Sequence, residues 1–111
     1  MKLSLIKASW YGIGLTTAFT AIGSERMEDG RRAYEAACAN CHQSETSDAP
    51  QTGTPEDWSG RSPLWETVLL EHARKGYLGM PAKGGSGLSD YETEAAAEYM
   101  LNSAHPDLPE D

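Results

Sequence analysis

The stretch "YEAACANCHQ", residues 34–43, holds the side chains best suited to chemistry. It contains the only two cysteines of the chain, Cys38 and Cys41, with His42 directly after them. A structural zinc site, a redox dithiol and covalent haem attachment all use such a set. Zinc wants four ligands. Cys38, Cys41 and His42 supply three, the adjacent pair Cys41–His42 fits one tetrahedron poorly, and a fourth ligand would have to come from His72 or His105. A redox dithiol normally opens a helix, where the dipole stabilises a thiolate. Here the pair falls at the C-terminal end of a predicted helix, where the dipole opposes one. Haem attachment has neither difficulty. Two thiols at this spacing reach the two vinyl groups of one haem, and the next residue presents an imidazole to the iron.

A haem iron ligated by His42 has a second axial position. Met27, Met80, Met100, His72 and His105 are candidates, and an open position is the alternative. Met80 stands apart because it sits in "YLGMPAKGG", inside a long loop. Gly79 is expected to allow an unusual backbone angle before it, and Pro81 stiffens the chain after it. Met100, between Tyr99 and Leu101, reads as core filler. His72, beside Glu71 and Arg74, reads as a half-exposed surface residue. An iron held by His and Met is coordinatively saturated, which favours electron transfer over turnover of a substrate.

These residues must be positioned by few elements. Three helices are expected and no strand. The first spans roughly Asp29 to Ala39, with Asp29 as N-cap. The second spans Pro63 to Lys75, with Ser62 as N-cap, Pro63 at the first helical position, and Arg74, Lys75 and Gly76 at its end. Its apolar residues Leu64, Trp65, Val68, Leu69 and Ala73 keep helical spacing. The third spans Asp90 to Asn102, where Ser89 and Glu92 form a capping box and Tyr91, Ala95, Tyr99 and Leu101 are the expected buried residues. Two long irregular stretches, residues 43–61 and 76–88, suggest loops that wrap a bound group. Trp65 is expected in the core, Trp58 in the core or at the site, and Lys83 at the haem edge or in solvent.

The chain has 111 residues and a formal net charge of −8, which bounds it to one domain. Lys2 and Lys7 precede a 16-residue uncharged run, "ASWYGIGLTTAFTAIG". That is short for a membrane span of about 20 residues and fits a signal peptide over residues 1–23, cleaved before Ser24. A retained anchor is the alternative. Residues 24–104 then form the haem domain, and 105–111 an acidic tail. So acidic a chain excludes nucleic acid and anionic lipid as partners and favours redox proteins with a basic docking patch. Export to the periplasm is expected, with membrane attachment only if the N-terminal segment is retained. A single domain of this size needs a staple for its core, which a haem would supply.

"CANCH", "GMPAKGG" and the C-terminal "LSDYETEAAAEYML" together resemble the class I c-type cytochromes. Between them, "DAPQTGTPEDWSGR" is similar to a stretch of the cytochrome c5 group, with Ala49, Pro50, Gly53, Trp58 and Arg61 in matching places. Asp48 and Ser59–Gly60 depart from that pattern, and the second cysteine pair of some relatives is missing. The resemblance covers roughly residues 28–102. It implies an all-α, class I cytochrome c fold around one covalent haem c, and a monomeric single-electron carrier. A haem subunit of a larger oxidoreductase or a five-coordinate gas sensor is the alternative. It further implies thioethers at Cys38 and Cys41, axial His42 and Met80, a Pro50 carbonyl that accepts the His42 Nδ1 proton, and Trp58 and Arg61 near a haem propionate. Gly30 and Tyr34 would cross the third helix near Tyr99.

Overall fold

The computed structural model describes residues 17–59, 61 and 64–106. The expected signal run up to residue 16, the cap pair Ser62–Pro63, Gly60 and the tail beyond Pro106 lie outside the described residues. The order of elements is α1 (Thr17–Ala37), α2 (Ala39–His42), α3 (Pro55–Ser59), a π-helical turn (Trp65–Leu69), α4 (Leu70–Lys75), a 3₁₀ turn (Ala82–Gly85) and α5 (Asp90–Ala104). Among the described residues there is no strand, only an isolated bridge between Tyr77 and Met80. The architecture is all-α, as expected.

The first helix begins earlier than expected. Asp29 lies inside α1 and caps nothing, because no proline stops the helix between Thr17 and Asp29 and it runs on through Gly23 and Ser24. Its carboxylate instead accepts a hydrogen bond from Tyr91 Oη at 3.0 Å. Tyr91, expected in the core, is 46% exposed. It sits in the first turn of α5, beyond the close crossing with α1, and carries the Arg26 guanidinium over its ring at 5.2 Å.

The α1–α5 crossing is the centre of the fold. A Cβ on Gly30 would run into the Ala95 carbonyl, 2.8 Å from its carbon, and would meet Tyr99 Cβ at 3.3 Å. Only hydrogen at that position lets the two backbones come so near. One turn on, Tyr34 is buried and its ring packs on Tyr99 with centroids 5.3 Å apart. Ala33, Ala96, Met100, Leu101 and Ala104 complete this core, with Trp58 and Trp65 at its edge. Trp65 is therefore a core residue, as expected. Arg26–Glu98 at 2.6 Å and Arg74–Glu94 at 3.1 Å are ion pairs that bind α1 and α4 to α5.

α5 starts on the expected capping box: Ser89 Oγ accepts from Glu92 N–H and Glu92 Oε1 accepts from Ser89 N–H. The single expected helix over 63–75 opens as a π turn, where Leu70 N–H donates to the Trp65 carbonyl five residues back. A π turn inserts one residue into the helical repeat, and nothing in the residue types announces it. Trp65 and Ala73 both remain buried across it. α4 ends on Gly76, whose φ of +88° belongs to glycine and whose hydrogen faces Ala82 N and Met80 O.

Candidate functional site: a cavity between the cysteine turn and the Met80 loop

α1 stops at Ala37, and the cysteine turn follows at once. Cys38 N–H donates to Tyr34 O at 2.9 Å, and both Cys41 N–H and His42 N–H turn back to the Cys38 carbonyl. This short helix carries Cys38, Cys41 and His42 onto one wall of a cavity of about 630 Å³. Cofactor sites commonly enclose roughly 300–1,000 Å³. Leu69, Ala97, Met100 and Leu101 give it an apolar floor, and Met80 stands on its wall. The candidates Met27 and His105 are not among its lining residues; Met27 is exposed on α1 and His105 caps α5. His72 and Met100 do line it.

His42 is 6% exposed. Its Nδ1 lies 2.7 Å from the Pro50 carbonyl. A carbonyl only accepts, so Nδ1 carries the proton and Nε2 is left with its lone pair. The same loop also clamps the backbone, because Thr52 N–H donates to His42 O at 2.7 Å. Tyr34 Oη, 2.8 Å from Thr52 Oγ1 and 2.9 Å from Gln43 Oε1, ties that loop to α1. Burial, and secondarily the neighbouring Cys41, raises the Cys38 thiol above its ordinary pKa. The turn therefore favours a neutral thiol there and not a thiolate pair. Both cysteines are free of a disulfide. Among the described residues, no three His, Cys, Asp or Glu side chains gather to hold a metal ion, which a zinc site would require.

Trp58 and Arg61 reach the same cavity. The Trp58 ring lies nearly parallel to His42, with centroids 6.0 Å apart and 17° between planes. Its one donor, Nε1–H, is taken by the Gln51 carbonyl at 3.0 Å. Trp58 thus offers a carboxylate packing and no hydrogen bond. Arg61 donates to Asp57 O and has no carboxylate partner among the described residues, whereas the other six described cations all do.

The Met80 loop departs from expectation in its backbone. Gly79 does not take a positive φ; Leu78 does, at +52°. The hairpin closes through Tyr77 N–H to Met80 O and Met80 N–H to Tyr77 O, both at 2.9 Å, and this tight pairing moves the unusual angle one residue earlier. Lys83 also has a positive φ, +57°. It neither lines the cavity nor stands free, but pairs with Asp90 at 3.0 Å. His72 is half-buried, as expected, and it stacks on Tyr77. Gln51 and Thr52, which hold the His42 turn, had no mark in the sequence beyond their place next to Pro50.

These features fit a haem: an apolar slot, two cysteines and an imidazole with a free Nε2 on one wall, and a thioether on another. Comparison with known proteins decides the family. Residues 25–100 match the family described as cytochrome c oxidase, cbb3-type, subunit III. The chain is 36% identical over 85 residues to cytochrome c-555 of Prosthecochloris aestuarii, covering 68% of this chain and 86% of that protein. It is 35% identical over 104 residues to cytochrome c-555 of Chlorobaculum tepidum, covering 89% and 95%.

The chain belongs to the class I c-type cytochromes.

A solved chain from an electron-transfer complex of nitrite reductase with cytochrome c superposes with a TM-score of 0.63 at 31% identity, covering 69% of this chain and 95% of that one. The all-α fold is accordingly the class I cytochrome c fold. Members of the family carry covalently bound haem c, and the relatives named cytochrome c-555 are electron carriers rather than enzymes. This chain is a haem-based electron-transfer protein that works with redox partner proteins.

Proposed function

We propose that the protein is a monomeric, exported single-electron carrier whose one haem c is held by thioethers from Cys38 and Cys41 and by axial His42 and Met80. The observation that carries this reading is the meeting of all four side chains on one cavity, with Nδ1 of His42 committed to Pro50. When bound, the haem supplies the one-electron Fe(III)/Fe(II) couple. The chain's residues do the rest. The Pro50 carbonyl orients the imidazole and strengthens it as a donor. The Met80 thioether is a soft, neutral ligand that raises the potential. Leu69, Ala97, Met100 and Leu101 exclude water from the cavity floor. Arg61, the described cation without a carboxylate, is placed to offset a propionate charge.

The net charge of −8 favours a partner with a basic docking patch. Residues 1–23 are read as a signal peptide that directs the protein to the periplasm. No described helix is long and apolar enough to cross a membrane. A second reading, a haem subunit of a larger oxidoreductase, draws on the description of the matching family. The match to cytochromes c-555 over 86–95% of their own length favours the separate carrier.

The test is spectroscopic, on the exported holoprotein. The ferric form is expected to show the weak far-red band of Met–iron bonding, and Met80→Ala to abolish it, lower the potential and admit carbon monoxide to the ferrous iron. An unchanged spectrum in Met80→Ala would remove Met80 from the iron. Stoichiometric copurification with a large subunit would favour the second reading.

A further inference from the structure

Gln51 makes six hydrogen bonds around the haem-binding turn. Its Oε1 accepts from Ser44 N–H at 2.7 Å. That donor fixes the orientation of the amide, so its NH₂ faces two carbonyls, Cys41 O at 3.0 Å and Ala49 O at 2.8 Å. Its own N–H donates to Asp57 Oδ2 at 3.0 Å, and its own carbonyl accepts from Trp58 Nε1 at 3.0 Å and from Thr54 N–H at 3.2 Å. One residue therefore joins the cysteine turn, the loop 44–49 and α3. On its two sides stand the bonds that hold His42: Pro50 O to Nδ1, and Thr52 N–H to the His42 carbonyl.

A Gln spanning 41 to 57 in this way is more than a loop staple. A peptide carbonyl has no rigidity of its own; it stays where its neighbouring peptides are pinned. We infer that Gln51 is a positioning residue for the axial histidine: by anchoring the peptide after Pro50 to Asp57 and Trp58, and its side chain to Cys41 O, it holds the Pro50 carbonyl on the His42 Nδ1 proton. This rests on His42 being an axial ligand, as proposed above.

The bond from Nδ1 to a well-placed carbonyl pushes electron density onto Nε2 and stabilises the ferric state. Loosening it makes the imidazole a weaker donor and the potential higher. A hydrogen bond of this kind contributes about 0.5–1.5 kcal/mol, which sets the scale of the expected effect at up to about tenfold in exchange of the Nδ1 proton.

The experiment uses holoprotein carrying Gln51→Met, which keeps the length and volume and removes the side-chain bonds. Trp58→Phe, a second variant, removes one of the two bonds to the Gln51 carbonyl and keeps an aromatic ring in place. Proton NMR of the His42 Nδ1–H and a redox titration are read on both, together with thermal stability. Faster Nδ1–H exchange, by about threefold to tenfold, with a raised potential in both variants, supports the assignment. Lowered stability with unchanged exchange and potential overturns it and leaves Gln51 a loop staple. If His42 is not an axial ligand at all, its Nδ1–H in wild-type ferric protein lacks the large paramagnetic shift. That failure of the underlying reading is thus separate from a failure of the Gln51 role.

Discussion

His72 and Tyr77 lie ring on ring, with centroids 3.8 Å apart and 6° between their planes. The first belongs to α4 and the second opens the hairpin that ends on Met80. The backbone bonds between Tyr77 and Met80 make the hairpin a small rigid unit, so a hold on the Tyr77 ring is a hold on the Met80 sulfur. An aromatic pair contributes about 0.5–1.5 kcal/mol beyond its buried area.

Replacing His72 with Ala is expected to loosen that hold, and His72→Phe to keep it. The readout is the rate at which cyanide enters the ferric iron, which under the proposed ligation requires Met80 to leave. An increase of about threefold to tenfold in His72→Ala, with a near wild-type rate in His72→Phe, is expected. Equal rates in the two variants would mean that the stack does not restrain the loop.

Gly30→Ala should destabilise the fold by roughly 1–3 kcal/mol, the usual cost of overpacking. The added methyl falls on the Ala95 carbonyl, a backbone group with no rotamer to escape into. A thermal melt of the holoprotein measures the loss. The absorption spectrum of the folded variant should match the wild type, because the crossing lies outside the haem cavity.

Loss of the haem should unfold the chain. If about a third of the 630 Å³ cavity stayed open, the cost at ~24 cal/mol per Å³ would be about 5 kcal/mol. That is the low end of a domain's entire stability. The Cys38→Ala, Cys41→Ala chain, made without haem, is expected to show no cooperative thermal transition. A sharp transition near that of the holoprotein would refute the idea that the haem completes the core.

The Lys83–Asp90 pair should make stability depend on pH in the acid range. The Lys83 ammonium, first by hydrogen bond and then by charge, lowers the Asp90 pKa below its ordinary value. A carboxylate whose folded-state pKa is depressed contributes above its unfolded pKa and loses that contribution as pH falls through the folded value. Lys83→Ala should therefore melt slightly below wild type at pH 7 and together with it once Asp90 is protonated in both states. Both groups are partly or wholly exposed, so the gap should be small and should shrink in high salt. A gap that persists at low pH would place the effect of Lys83 in the packing of its alkyl stem and not in its charge.

Much of this protein was legible before any coordinate was known. The spacing of Cys38, Cys41 and His42 is a property of one helical turn, so local sequence carries it. The capping box at Ser89–Glu92 and the stop at Gly76 are likewise decided within four residues. Asp29 misled because a good N-cap residue is also tolerated inside a helix. Leu78 and Gly79 exchanged roles because the hairpin, not the glycine, chose where the positive φ fell.

The sequence by itself determined the chemistry available at residues 38–42, the helical class and the acidic character, since each follows from residue type and short-range spacing. Only the tertiary structure decided which other side chains share that cavity. Met80 lies 38 positions beyond His42 in the chain, and what brings it to the same cavity is the close crossing at Gly30, the turn at Gly76 and the stack of His72 on Tyr77. The same holds for Gln51, whose six partners come from residues 41–58 and converge only when the loop closes. Short-range preferences set what each segment can do; which segments meet depends on packing between parts of the chain that carry no local record of one another.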